Sequence, residues 1–142
     1  MRFVTFQHHG HQHAGVVSGE DIVSLKSAGL PDMLSILKAG EGVFRRIELL
    51  LANPPAEAVI PLGSVKLLAP IPRPGKIICV GLNYRDHAIE SKMEIPTRPT
   101  IFSKYSNTVI GAGEDIVLPK NSEKPDYEAE FAFVIGKGGR HI

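Results

Sequence analysis

A chain of 142 residues with 43% hydrophobic content is long enough for about one domain and apolar enough to bury a core, which excludes a disordered or fibrous protein. Sixteen Lys and Arg against fifteen Asp and Glu leave a net charge of +1, so the charge does not favour a nucleic acid partner. No stretch approaches the roughly 18 unbroken apolar residues of a membrane span, and the N-terminus lacks an apolar signal core. We therefore expect a soluble, cytoplasmic protein with neither a nucleic acid nor a membrane as partner.

The first half of the chain combines short extended segments with two helical patterns. Residues 2–6, 14–18 and 21–25 alternate with glycine turns and predict a small antiparallel meander. Asp32 is a candidate N-cap for a short helix. A second helix is indicated by an apolar stripe of helical period, formed by Val43, Phe44, Ile47, Leu50 and Leu51.

Three prolines and a glycine within residues 68–76 exclude a helix or a central strand there. We take this segment as a boundary between domains at 1–70 and 71–142. Beyond it the sequence predicts a buried strand at 77–80, extended pieces at 100–103 and 115–118, and a longer strand at 127–135. The single cysteine, Cys79, lies in the first of these strands and is expected to be a buried, unreactive thiol.

Glu128 and Glu130 form the most informative local pattern. In a strand the alternation of side chains places both on one face, which Ala132 and Val134 continue. Two neighbouring carboxylates on a partly buried face repel each other unless a positive charge lies between them, and a hard divalent ion such as Mg²⁺, Mn²⁺ or Ca²⁺ would satisfy both. On this pattern alone, an ordinary strand with two solvated glutamates is the favoured interpretation.

His87 and Glu90 follow the strand at 77–80 and are three residues apart. On a helical turn they share one side, where the carboxylate can orient the imidazole and raise its basicity for use as a general base. Taken alone, a routine surface pair is favoured. Lys104, after the extended piece at 100–103, is a candidate for binding a substrate carboxylate, although an exposed lysine is the default.

Four histidines, His8, His9, His11 and His13, crowd around Gly10. His9, His11 and His13 would share a face in an extended chain, and zinc or nickel binding is one interpretation. The cluster lies in a predicted hairpin turn without a supporting cysteine or carboxylate, so a solvated loop is favoured.

The order of four motifs resembles the fumarylacetoacetate hydrolase family. They are GLNYRDHAIE (81–90), PTRPTIFSK (96–104), IVLP (116–119) and DYEAEFAFVIGK (126–137). The resemblance is strong from about residue 73 onward, and residues 1–70 are more weakly similar to the small N-terminal domain of many bacterial members. It implies an α+β, β-rich fold, in which a small meander and helix domain precedes the first part of the family's mixed β-sheet catalytic fold.

The same resemblance implies a Mg²⁺- or Mn²⁺-dependent enzyme acting on small 2-oxo or 1,3-dioxo carboxylic acids by C–C hydrolysis, decarboxylation, hydration or isomerisation. Glu128 and Glu130 match the family's metal-binding glutamates. His87 and Glu90 match the pair in which the histidine activates water and the glutamate orients it, and Lys104 matches a frequent lysine. A homodimer is implied for the full-length protein.

One departure from the family pattern qualifies this function. The family supplies a third metal carboxylate, an aspartate well after the Glu-x-Glu strand, and the sequence stops at Ile142 before such a residue. We therefore expect the N-terminal part of a longer enzyme. The alternatives are a shortened, inactive relative that serves as a binding or assembly module, and a small metal-carrying domain that uses the cluster from His8 to His13.

Overall fold

The N-terminal half of the chain folds as one antiparallel sheet with the strand order β4-β3-β2-β1-β5. The structure is a computed structural model and describes residues 1–141. The five strands are β1 (Phe3–His8), β2 (His11–Ser18), β3 (Asp21–Ser24), β4 (Val59–Pro61) and β5 (Lys66–Leu68). The predicted meander is confirmed as β1 to β3, and the sheet gains two short outer strands that the sequence did not indicate.

Two helices cover one face of this sheet: α1 (Met33–Lys38) and α2 (Gly42–Ala52). Asp32 begins α1 as predicted, because its carboxylate accepts a hydrogen bond from the Ser35 amide at 2.7 Å. The main core lies between helices and sheet and consists of Ala14, Val16, Leu25, Leu30, Met33, Ile36, Val43 and Ile47. The apolar stripe of α2 therefore supplies core residues, as its helical period predicts.

The opposite face of the sheet carries a smaller apolar cluster of Phe6, Ile22 and Ile60. Gly15 lies among these side chains, where a Cβ atom would overlap the Ile22 side chain and approach Phe6 Cε1 and the Val23 carbonyl oxygen to 3.0 Å each. The absence of a side chain at Gly15 thus allows the cluster to close.

The C-terminal half contains one two-stranded antiparallel ladder, β6 (Ile77–Gly81) with β7 (Thr100–Lys104), and the helix α3 (Arg85–Glu90) between them. The expectation of a buried strand at 77–80 is wrong in its burial: Ile78 is 61% exposed and Cys79 is half-buried. A two-stranded ladder has few neighbours to cover it, so its apolar side chains stay accessible.

The strands expected at 115–118 and 127–135 are not formed. Within the described residues after Lys104, the chain has no strand, and Glu128 and Glu130 are exposed. An extended segment becomes a strand only when its backbone pairs with a neighbour, and no ladder reaches these residues. The alternation of side chains with a period of two, which is typical of strands, was therefore not sufficient to form a strand here.

Two polar contacts join the N-terminal sheet to the chain that follows. The Lys66 ammonium donates to Glu114 at 2.6 Å, and the Thr5 hydroxyl donates to the Pro70 carbonyl at 2.6 Å. Glu114 also accepts a hydrogen bond from the Gly111 amide, so one carboxylate links β5 to the turn at 111–114. In the part of the chain that the structure describes, no helix has the length and apolar character needed to cross a membrane.

Replacing Gly15 by Ala is expected to destabilise the protein by about 1–3 kcal/mol, because the added methyl overpacks the cluster around Ile22. Urea unfolding measures this change. Gly63→Ala is the matched control, since a Cβ atom there meets nothing within 4 Å, and it should change stability by less than about 0.5 kcal/mol. Equal effects of the two substitutions would contradict the close approach.

The cap of α1 predicts a pH dependence of stability. The hydrogen bonds that Asp32 accepts from the Ser35 amide and then from the Ser35 hydroxyl lower the pKa of this carboxyl below its ordinary 3.8. A lowered pKa in the folded state stabilises the protein above the unfolded pKa, and this contribution is lost as the pH falls through the folded pKa.

Asp32→Asn keeps a capping oxygen but cannot titrate. The free energy of unfolding of the wild type should therefore exceed that of Asp32→Asn at about pH 7 and converge with it near about pH 2. Urea unfolding at both pH values checks this, and a difference that does not change with pH would contradict the role of the charge.

Candidate active site

The segment between β6 and α3 positions two of the predicted site residues. β6 ends at Gly81, the chain turns through Leu82 with a φ of +49°, and α3 begins at Arg85. His87 and Glu90 lie three residues apart on this helix, and both line one cleft of about 390 Å³. The only fully buried residue of α3 is Ala88, which anchors the helix while His87 stays accessible.

The other wall of this cleft is the segment around the Glu-x-Glu pattern. Glu128 and Glu130 both line it, together with Asp126. His87 Nε2 lies 3.5 Å from Glu128 Oε1, with 39% of the His87 side chain and 61% of the Glu128 side chain exposed. A contact this exposed contributes little to stability, so its significance is the proximity of an imidazole to a carboxylate from a distant segment.

Tyr84 holds the two walls together, although sequence reasoning gave it no role. Its hydroxyl oxygen accepts a hydrogen bond from the Phe131 amide at 3.0 Å. Tyr84 precedes His87 by three residues, a helical spacing that is visible in the sequence. The sequence does not show that Tyr84 contacts a distant segment. Asp126 was likewise not predicted as a cleft residue. Its position two residues before Glu128 is the sequence feature that could have indicated it.

Lys104 is not among the residues that line this cleft. In the β6–β7 ladder the pair Gly81 and Thr100 is at the end near α3, whereas Lys104 pairs with Ile77 at the opposite end. Phe102, two residues before Lys104 on β7, does line the cleft. The structure thus brings together His87, Glu90, Glu128 and Glu130 and leaves Lys104 outside the group.

The cleft contains donors that suit a hard divalent ion but not a complete set. Glu128 and Glu130 offer carboxylate oxygens, the atoms that Mg²⁺, Mn²⁺ and Ca²⁺ prefer. Within residues 1–141 no group of three or more His, Cys, Asp or Glu side chains is arranged to hold a metal. The two glutamates therefore fit as two ligands of a larger set, and their role as ligands stays a prediction.

The fold is α+β and strand-rich, and comparison with known proteins identifies its family. Residues 76–142 match the family described as fumarylacetoacetate (FAA) hydrolase C-terminal, and residues 1–70 match the one described as Rv2993c-like, N-terminal. The chain belongs to the fumarylacetoacetate hydrolase family.

Individual relatives agree with this assignment. The chain is 42% identical to "Oxaloacetate tautomerase Fahd2a, mitochondrial" of Rattus norvegicus and 40% identical to "Oxaloacetate tautomerase FAHD2A, mitochondrial" of Homo sapiens. Each match includes 100% of this chain and 47% of the relative, so the chain spans about half the length of these curated relatives.

Among solved structures, the chain resembles maleylpyruvate hydrolase from Sphingobium sp. SYK-6 in complex with manganese (II) ion and pyruvate. The TM-score is 0.66 at 28% identity, over 84% of this chain and 43% of that one. The predicted α+β, strand-rich fold class is confirmed.

Replacing Tyr84 by Phe is expected to release the segment that carries Glu128 and Glu130. Losing one hydrogen bond of about 0.5–1.5 kcal/mol should accelerate hydrogen exchange at the Phe131 amide by up to about tenfold. Exchange followed by NMR checks this. Tyr105→Phe removes the same atom from a tyrosine that is 82% exposed and should leave the Phe131 amide unchanged; equal exchange in both variants would contradict the contact.

Proposed function

We propose that this chain supplies the proton-transfer and metal-binding residues of a divalent-metal-dependent enzyme acting on small 2-oxo or 1,3-dioxo carboxylic acids. The observation that carries the proposal is the cleft in which the imidazole of His87 lies 3.5 Å from the carboxylate of Glu128. A general base beside a pair of metal-type carboxylates is the arrangement that activation of an oxo acid needs.

Family membership supports this substrate class. The relatives include proteins named oxaloacetate tautomerase, and a structural neighbour is named maleylpyruvate hydrolase. Both names refer to small carboxylic acids with a carbonyl beside the carboxylate. That neighbour's manganese and pyruvate are also consistent with a divalent ion and a 2-oxo acid sharing one site.

The residues of the cleft take separate roles in this proposal. Glu128 and Glu130 would hold the ion, whose positive charge, when it is bound, stabilises negative charge developing on a substrate oxygen. His87 Nε2 accepts the proton, either from a water that attacks the carbonyl or from the carbon next to it. Glu90, on the same side of α3, orients His87 or the water, and an exposed rim lets a small acid enter.

Hydrolysis and tautomerisation differ in where the proton goes and whether a bond breaks. Tautomerisation moves a proton between carbon and oxygen and leaves the skeleton intact, whereas hydrolysis adds water and breaks a C–C bond. The whole protein with Mn²⁺ in D₂O, given oxaloacetate or maleylpyruvate, separates the two. Deuterium gained by an uncleaved acid faster than in a protein-free control with the same ion indicates a tautomerase, and two shorter acids indicate a hydrolase. Neither product with either acid, at any divalent ion, would contradict the proposal and favour an inactive binding module.

Replacing His87 by Ala and replacing Glu128 by Ala in the whole protein are expected to change different properties of the enzyme, kcat in the first case and metal affinity in the second. His87→Ala should lower kcat by about 10²–10⁴-fold, the scale for losing a general base, and leave metal affinity nearly unchanged. Glu128→Ala should weaken metal binding, so that excess Mg²⁺ or Mn²⁺ partly restores the rate by mass action. Steady-state kinetics over a metal titration separates the two effects.

Glu123→Ala is the matched control, because this exposed glutamate does not line the cleft and its loss should change neither parameter. Rescue of His87→Ala by excess metal would reassign His87 as a ligand and end its role as the base.

The cytoplasmic location and the homodimer expected for the full-length protein stay proposals. Light scattering of the whole protein after size exclusion tests the dimer, and fractionation of its source cells tests the location.

A further inference from the structure

The histidine cluster at the end of the first hairpin is not used by the proposed function. Sequence reasoning placed these residues in a solvated turn, but the structure limits the turn to His9 and Gly10. His8 is the last residue of β1, and His11 and His13 belong to β2. The cluster is therefore held mainly by strand backbone rather than by a loop.

The register of the hairpin puts His8, His11 and His13 on one face; the expectation of His9 in place of His8 is wrong, because His9 lies in the turn and not in a strand. His8 pairs with His11, and Phe6 pairs with His13 two positions further from the turn. Directly opposed residues project to the same side of a sheet, and residues two apart along a strand do so as well. The ring centroids of His11 and His13 are 6.4 Å apart, close enough for small rotations to direct both rings at one ion.

These rings line a cleft of about 520 Å³, which Glu57 also reaches. Lys26 in the same cleft opposes any cation, so binding there requires coordinate bonds rather than charge attraction alone.

We propose that this hairpin binds a divalent transition-metal ion of the Zn²⁺ type, with His11 and His13 as the chelating pair and His8 as a further ligand. Imidazole nitrogen suits such ions, whereas Mg²⁺ and Ca²⁺ favour the oxygen donors found at Glu128 and Glu130. The His8 ring packs against the His9 ring at a centroid distance of 4.0 Å, and the described part of the chain has no group of three or more ligands arranged to hold a metal, so His8 would have to rotate to join His11 and His13. His11 is exposed and free to rotate.

A bound ion would fasten the end of the β1–β2 hairpin. The ligands come from both strands across the turn, so the ion links them where the hairpin otherwise ends in solvent. An ion that binds the folded hairpin more tightly than the unfolded chain stabilises the fold by mass action. This site is independent of the proposed active site in its residues and in its preferred metal.

Titration of Zn²⁺ into the protein, with excess Mg²⁺ present to occupy oxygen-ligand sites, tests the proposal. Isothermal calorimetry should show one Zn²⁺ bound per chain, and the melting temperature should rise with Zn²⁺. His11→Gln should weaken Zn²⁺ binding by at least about tenfold and reduce the rise at a given Zn²⁺ concentration. Because His11 is exposed, its replacement should leave the metal-free melting temperature unchanged.

His13→Gln is a second variant and should weaken binding to a similar extent. His141→Gln is the matched control, since it removes an exposed imidazole outside the cleft and should leave Zn²⁺ affinity unchanged. No binding by the wild type, full binding by His11→Gln, or equal losses in His11→Gln and His141→Gln would each overturn the site.

Discussion

The register between β1 and β2 is the constraint on which the N-terminal half depends. It directs Ala14 and Val16 towards the helices and puts Phe6 and His13 opposite one another on the other face. A slip of one residue would exchange these faces, exposing the core side chains and burying imidazoles under the helices. The same register that closes the main core thus also collects the histidines.

The C-terminal half is stabilised differently. Its ladder has two strands, and large apolar side chains such as Val117, Phe131 and Phe133 are mostly exposed. Order in the cleft depends on a few specific contacts: buried Ala88 anchors α3, and the Tyr84 hydroxyl holds the backbone at Phe131. Position in this half is therefore set by a few local contacts rather than by an extensive apolar core.

The two clefts offer donors of opposite character. The cleft at α3 combines one imidazole with several carboxylates, which suits a hard ion and proton transfer to an oxo acid. The cleft at the first hairpin combines four imidazoles with one carboxylate and a lysine, which suits softer ions. Chemistry of the donors, rather than cleft size, separates a candidate active site from a candidate structural one.

The sequence by itself determined the local elements and the family. Apolar period predicted α2, the Asp32 cap predicted the start of α1, and the order of four motifs carried the family resemblance, because each of these signals is encoded in neighbouring residues. The spacing that places His87 and Glu90 on one side of a helix is a local signal of the same kind.

Only the tertiary structure decided which distant segments meet. The pairing of His87 with Glu128, the Tyr84 contact and the set of residues that line the cleft depend on long-range packing, which no local pattern contains. The segment at 127–135 shows the physical reason most directly. Its period of two is that of a strand, but a strand exists only through backbone hydrogen bonds to a neighbour, and that neighbour is a property of the fold rather than of the segment.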